Sequence, residues 1–298
     1  MNLIEIFERF PHQEACIEFL EGIRYKEGAY CPLCGSVGVA KKREKTHKGR
    51  WNCHDCKSSF KVVRGTMFHG TKILLQKWFL AIVLIANAKK SLSSHQLARD
   101  LKLNQKTAWY IMQRIRLEMA EKENKGLLEG ILEVDETFIG GKPRKPNIHG
   151  PGTNVPKSPT GGNSEKLNTI MGVVEREGRV KAQMVSRPTA KNAIEFLRSR
   201  VNPAESVLMS DESQIYKAAG KSFTSHEIIA HIDEYVRDGY VHTNTIEGFW
   251  SLLKRAWYGQ HHHYKPEFVP LYIAEACWKY NNRERGNFFD HFVRGCFD

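Results

Sequence analysis

Glu133-Val134-Asp135-Glu136-Thr137-Phe138-Ile139-Gly140-Gly141 is the stretch on which the fold turns. Ile131–Ile139 reads as a β-strand, yet it carries carboxylates in its middle. A charge in an otherwise apolar strand is unfavourable unless it is paired or bound to a metal ion. Downstream, Asn168–Glu175 and Arg179–Ser186 read as two strands flanking the short turn Arg176-Glu177-Gly178. Ala190–Arg200 reads as a helix, and Ser206–Ser210 as a strand that ends at Asp211. Ligand sites gather at strand ends in open α/β sheets, so Asp211 joins Asp135 as a candidate.

A third acid sits on a helix. Asn244-Thr245-Ile246-Glu247-Gly248-Phe249-Trp250-Ser251-Leu252-Leu253-Lys254-Arg255 is amphipathic, with Ile246, Phe249, Trp250, Leu253 and Trp257 on one stripe. Asn244, Glu247, Ser251 and Lys254 fall within about 80° of one another on another stripe, at 100° per residue. Each acid also has a plain structural explanation: Asp135 in a salt bridge, Asp211 as a helix cap, Glu247 paired with an Arg. Taken together, hard oxygen ligands from two strands and a helix suit two Mg²⁺ ions clamping an in-line phosphoryl displacement.

Upstream, Cys31-Pro32-Leu33-Cys34 and Cys53-His54-Asp55-Cys56 form two knuckles separated by 18 residues. This is zinc-ribbon spacing: two tight turns present four thiolates tetrahedrally to one Zn²⁺. With all four positions filled by protein, the metal is structural. Cys16, Cys277 and Cys296 read as core or incidental thiols, and an odd total of seven cysteines argues against a disulfide framework. Between the knuckles, Lys41, Lys42 and Arg43 begin a basic run that could be a solvated hairpin tip or a DNA contact.

Ser91–Leu101 reads as a capped short helix, Lys102-Leu103-Asn104 as a turn, and Gln105–Arg116 as a second helix. Leu97, Leu101, Ala108, Ile111 and Ile115 would form their shared core. Gln105, Lys106, Thr107, Tyr110, Gln113 and Arg114 would face outward, as in a helix-turn-helix whose second helix enters the major groove. Gln105, Lys106 and Arg114 are its candidate DNA contacts. Residues 140–166 form a Gly- and Pro-rich segment carrying Lys142, Arg144 and Lys145. Such a segment is either a phosphate-contacting loop or an idle insertion. Three histidines at 261–263 read as part of a solvated loop.

The whole chain, 298 residues, is 41% hydrophobic and 26% charged, which excludes a disordered or collagen-like protein. Its formal charge of +12 favours a polyanionic partner. The apolar stretch around Ile82–Ala86 falls far short of the roughly 20 residues that span a bilayer. Met1–Pro11 mixes Glu5, Glu8 and Arg9 into its pattern, unlike a secretory leader, so the expected location is the cytoplasm.

These words together resemble the bacterial insertion-sequence transposases of family 1595. The resemblance rests on the cysteine quartet, on Glu133–Lys142, on Ser210-Asp211 and on His242–Arg255, and it covers nearly the whole chain. Between Asp211 and Glu247 lie 35 residues, matching the wider spacing of DDE enzymes, and Lys254 stands seven positions after the third acid. Tyr280-Asn281-Asn282-Arg283 fits the family's C-terminal helix. The resemblance implies three regions. Residues 1–66 would hold an N-terminal helix and zinc ribbon, 67–126 a helical helix-turn-helix region, and 127–298 an RNase H-like α/β DDE domain with a mixed sheet flanked by helices. It further implies cleavage and strand transfer of double-stranded DNA at terminal inverted repeats and target, by a homodimer or higher assembly on DNA. Asp135, Asp211 and Glu247 would hold the two Mg²⁺, Lys254 a phosphate near the scissile bond, and Asn244 would orient its neighbours. Two rivals are a DNA-binding regulator with an inactive catalytic domain and a non-transposing nuclease of the same fold. The spacing alone reaches only a metal-dependent phosphoryl-transfer enzyme acting on DNA.

Overall fold

The structure, a computed structural model, describes residues 1–42, 49–122, 126–140, 167–229 and 241–297. The chain forms two units: Met1–Lys122 with Asn282–Asp298, and Glu123–Asn281.

In the first unit, α1 (Leu3–Arg9) starts on a capping box between Asn2 and Glu5, and α2 (Gln13–Arg24) follows. Strands β1 (Val39–Lys41), β2 (Arg50–Cys53) and β3 (Ser59–Lys61) form an antiparallel sheet in that order. Helix α3 (Leu75–Asn87) is apolar on nearly every face and is buried accordingly. Ser93 caps α4 (Ser94–Leu101) by accepting from the Gln96 N–H, and Lys102 ends it in the left-handed conformation, φ 49°. Helix α5 (Gln105–Lys122) runs on past Arg116, where the sequence pattern ends it.

The second unit is built on five strands. They are β4 (Leu128–Gly140), β5 (Leu167–Glu175), β6 (Val180–Val185), β7 (Val201–Asp211) and β8 (Ser225–Ile229). Helix α6 (Ala190–Arg198) precedes β7, and α7 (Gln214–Gly220) follows it. The sheet order is β6-β5-β4-β7-β8; β4, β5 and β6 pair antiparallel, whereas β4–β7 and β7–β8 are parallel. This order and sense, with helices on both faces, is the RNase H-like arrangement. Strand alternation sorts the core. Leu132, Val134, Met171 and Val173 pack under α6 and α7. Ile139, Ile170, Val174 and Val180 pack under α8 (Asn244–Ala256) and α9 (Val269–Asn281). Each large apolar side chain fully buried this way contributes roughly 1.5–3 kcal/mol.

Two expectations change here. Of the three histidines expected in a solvated loop, His262 and His263 are exposed outside any helix, but His261 ends a π-helical turn (Trp257–His261) that continues α8, and it packs its ring on Tyr272 with centroids 4.8 Å apart. Residues 282–298 cluster with the first unit, whereas the sequence pattern runs the third region to 298. The reason is aromatic packing. Phe289 of α10 (Phe288–Arg294) lies 5.8 Å from Phe10 and 5.2 Å from Phe79 between ring centroids. Arg9 and Asp290 add an ion pair at 2.8 Å.

Candidate active site

Asp135 and Asp211 reach one face of the sheet through strand register. On the parallel pair β4–β7, Glu133 lies opposite Met209, and two residues further along each strand stand Asp135 and Asp211. By alternation both belong to the face covered by α8. Across the other edge of β4, Asp135 is in register with Gly172. That glycine is a packing requirement, because a Cβ there would lie 2.5 Å from the Trp250 ring. The indole therefore rests directly on the strand, and its Nε1–H donates to Asp135 Oδ2 at 3.0 Å.

The electrostatics of this corner are those of crowded carboxylates. Burial, then the charges of Glu136 and Asp211, push the Asp135 carboxyl up to about 7. Glu136 points to the opposite face, where the Tyr216 hydroxyl of α7 donates to its Oε2 at 2.5 Å. Burial also raises the Glu136 pKa, against the lowering effect of that hydroxyl. Asp211 Oδ1 accepts from the Ser213 N–H at 3.1 Å, which fixes the strand-to-helix corner.

Glu133 is the fully buried acid of the stretch. Its carboxylate accepts from Arg176 Nε at 3.1 Å and Nη2 at 2.9 Å, and stands 3.2 Å from His242 Nδ1. It also accepts from the Thr245 N–H and hydroxyl, both at 2.8 Å, and from the Ile246 N–H at 3.1 Å. These are free amide donors of the first turn of α8, whose own N-cap, Thr243, makes no side-chain cap bond. A strand carboxylate thus caps the helix, with the favourable sign for a helix N-terminus. Sequence reasoning assigns no role to Glu133, Arg176, Glu136, Tyr216, Trp250's N–H or Gly172. The signals that could have been used are the lone glycine inside a strand and, for Glu133, the need of a charge in an apolar strand for a partner.

Glu247 is exposed in the first turn of α8, and its Oε1 accepts from the Thr243 hydroxyl at 3.3 Å. Asn244 is exposed and Lys254 half-buried on the same helix. Among the described residues, the only group of three or more candidate metal ligands drawn within 4.8 Å of one another is the cysteine quartet. Asp135, Asp211 and Glu247 are not gathered that closely.

The quartet itself fits a tetrahedral metal. Cys31 Sγ lies 3.7 Å from Cys56 Sγ, and Cys34 Sγ 3.6 Å from Cys53 Sγ. Zn–S bonds of about 2.3 Å at tetrahedral angles place sulfurs about 3.8 Å apart. The first knuckle turns at Gly35 with φ 78°, the second at Lys57 with φ 56°. Nearby, Lys41 pairs with Glu21 at 2.5 Å and Lys42 is half-buried. Arg43, Lys142, Arg144 and Lys145 lie outside the described residues.

On α5, Lys106 is exposed, whereas Gln105 is half-buried and donates to the Ser94 hydroxyl at 2.8 Å. Arg114 donates to the Tyr110 hydroxyl at 2.7 Å and to the Thr66 carbonyl at 3.2 Å. Gln113, expected outward, is buried. It lies among Met112, Arg116 and Met119 because α5 packs on more of its circumference than an apolar stripe indicates.

Residues 127–281 match the ISXO2-like transposase domain, and residues 11–59 match the transposase zinc-ribbon domain. An uncharacterized protein in transposable element ISH50 of Halobacterium salinarum (strain ATCC 700922 / JCM 11081 / NRC-1) is 25% identical over 257 residues, 85% of each chain. Among solved structures, the Mos1 transposase paired-end complex with left transposon end aligns at 12% identity over 74% of this chain and 75% of that one, with a TM-score of 0.31. The Mos1 strand transfer complex aligns at 12% identity over 74% and 78%, with a TM-score of 0.27. Among the described residues, no helix is long and apolar enough to cross a membrane.

Proposed function

Because the chain belongs to the insertion-sequence 1595 family of transposases, with its ISXO2-like catalytic domain and its zinc ribbon, we propose that Asp135, Asp211 and Glu247 are the catalytic acids of this DNA transposase. One observation carries the assignment. Asp135 and Asp211 occupy equivalent positions on adjoining parallel strands, and α8, which bears Glu247, packs on the strand of Asp135. A carboxyl pushed up to about 7 by burial, and further by the neighbouring acids Glu136 and Asp211, is a site short of positive charge, which suits divalent cations. The three acids would hold two Mg²⁺, which when bound neutralise the scissile phosphate and favour ionisation of the attacking hydroxyl.

The chain's own residues do the positioning. Glu133 and Arg176 hold the start of α8, and Trp250 orients Asp135, so the helix and strand that bear two of the acids are tied together. Lys254, two turns after Glu247, would contact a DNA phosphate, and Asn244 borders the same helix face. Water attack at the element's terminal inverted repeats would free 3′-hydroxyls that then attack target DNA by the same in-line geometry. The helix-turn-helix would read the repeats through Gln105 and Lys106, with Lys42 and the ribbon adding backbone contacts, in a homodimer or larger assembly on DNA.

Glu247→Gln tests this. It keeps the helix and its packing but removes the negative charge, so terminal cleavage and strand transfer should fall on the order of 100-fold or more. Calorimetric binding of Mn²⁺ to the full chain should weaken in parallel, while binding to terminal-repeat DNA persists. Near wild-type strand transfer would instead leave Asn244 as the candidate on that helix.

A further inference from the structure

Away from the acids, the first unit contains an open cleft of about 270 Å³ between β2–β3 and residues 62–71. Four of its lining side chains are basic or can become so: Arg50, Lys61, Arg64 and His69. Ser59 and Thr71 share the wall, the Ser59 hydroxyl donating to Asn52 Oδ1 at 2.5 Å, and among the described residues no Asp or Glu lines it. Among the described residues, neither Arg50 nor Lys61 has a side-chain hydrogen bond or carboxylate partner. Arg64 Nη1 lies 3.2 Å from His69 Nε2. Because a guanidinium can only donate, that contact makes Nε2 the acceptor and leaves Nδ1–H as a further donor.

The wall is also rigid. Arg24 Nη1 donates to the carbonyls of Val62 at 2.5 Å and Arg64 at 2.6 Å. Successive turns close at Arg64 N to Lys61 O, Thr66 N to Val63 O and His69 N to Thr66 O. Arg114 of α5 grips the Thr66 carbonyl from the other direction. Cations gathered on a concave backbone frame that these bonds hold in place, with no Asp or Glu among its described lining residues, form an anion receptor in which the exposed Lys61 and Arg64 side chains are what a ligand would order. Arg forks, a Lys point charge and hydroxyl donors are the groups that contact phosphodiester oxygens.

We infer that this cleft clamps backbone phosphates of the DNA duplex that the transposase binds. The inference rests on the DNA-binding reading above and deepens it. The contact is independent of base sequence, and through Arg114 and Thr66 the cleft shares one body with α5, so both can engage the same duplex.

The test is equilibrium binding of the full chain to a terminal-repeat duplex and to an unrelated duplex across a salt series. Lys61→Ala combined with Arg64→Ala should weaken both complexes about equally, by tenfold or more. It should also reduce the slope of log K against log salt by about 2, one counterion per lost contact. Lys89→Ala combined with Lys90→Ala removes the same charge from exposed positions outside the cleft, and should leave the slope within about 0.5 of wild type. An equal slope change in both doubles would mean bulk charge and overturn the clamp. So would an unchanged slope in the cleft variant, including the case where inorganic phosphate stabilises wild type but not that variant, which would mark a free-phosphate site. Zinc content equal to wild type excludes a ribbon that failed to fold; if it falls, Arg64→Gln alone should still reduce the slope by about 1. Wild-type protein that does not prefer the terminal repeat would count against end recognition while leaving the clamp standing.

Discussion

The indole Nε1 of Trp250 donates to Asp135 Oδ2 at 3.0 Å, so a residue of the helix's packing stripe also orients a carboxylate on the strand beneath it. Trp250→Phe keeps most of the ring and removes the donor. The fold should lose about 1 kcal/mol for the hydrogen bond and more for the ring volume left empty against Gly172. The Mg²⁺ concentration for half-maximal cleavage should rise several-fold, with a smaller change at saturating metal. An unchanged metal dependence would reduce Trp250 to a packing residue.

Gly172→Ala tests the same contact from the other side. The new methyl would meet the Trp250 ring at 2.5 Å and Ile246 Cδ1 at 3.3 Å, both side chains being packed between helix and sheet. Overpacking of this kind costs about 1–3 kcal/mol. Denaturant unfolding should show that loss, and cleavage should fall with it. Combining Gly172→Ala with Trp250→Phe should cost less than the sum, since both disturb one contact.

Glu133→Gln should be more damaging to folding than any change at the exposed Glu247. It removes the fully buried carboxylate that the half-buried Arg176 pairs with and weakens the cap of α8. Breaking a buried pair by removing one partner costs about 3–5 kcal/mol. Unfolding of the second unit should shift accordingly, and adding Arg176→Met should restore part of the loss. A full-strength fold in the single variant would show that the cap is dispensable.

The pH dependence has a definite sign. Folding raises the Asp135 carboxyl from the ordinary carboxylate range to about 7, so between these values the folded state holds a proton that the unfolded chain releases. The resulting stability is full below about pH 4 and is lost as pH rises through about 7. In magnesium-free buffer, the melting temperature of wild type relative to Asp135→Asn should therefore fall from pH 4 to 7 and level off above. A difference that grows with pH would contradict the crowded-carboxylate description.

For the ribbon, Cys31→Ser removes a buried ligand of the quartet. One zinc per chain should be lost, β1–β3 should unfold, and DNA affinity should drop, while the second unit melts as before. Chelation of wild type should reproduce the pattern. A chain purified without chelator and free of zinc would remove the metal from the ribbon's account.

Much of this molecule is written locally. The cysteine knuckles, the alternation through β4 and the apolar stripe of α8 are each set within a dozen or so residues, so spacing reveals them. What escapes is set across the chain. Glu133 meets Thr245 over a separation of 112 positions, and Tyr216 meets Glu136 over 80. No periodicity encodes such pairs. Strand β8 is a short edge strand that begins with Ser225, His226 and Glu227, so it lacks the apolar run that marks a buried strand. Gln113 misleads for the opposite reason: a polar side chain predicts exposure, but its helix is wrapped on several sides.

The aromatic cluster of Phe10, Phe79 and Phe289 makes the first unit discontinuous: it closes only when residues 282–298 are available. On the ribosome the second unit is synthesised entirely within that interval. The sheet that bears Asp135 and Asp211 can thus mature while the unit with the ribbon, α4 and α5 still lacks α10. A nascent chain halted before Phe289 would carry the acids' scaffold but an unfinished partner unit.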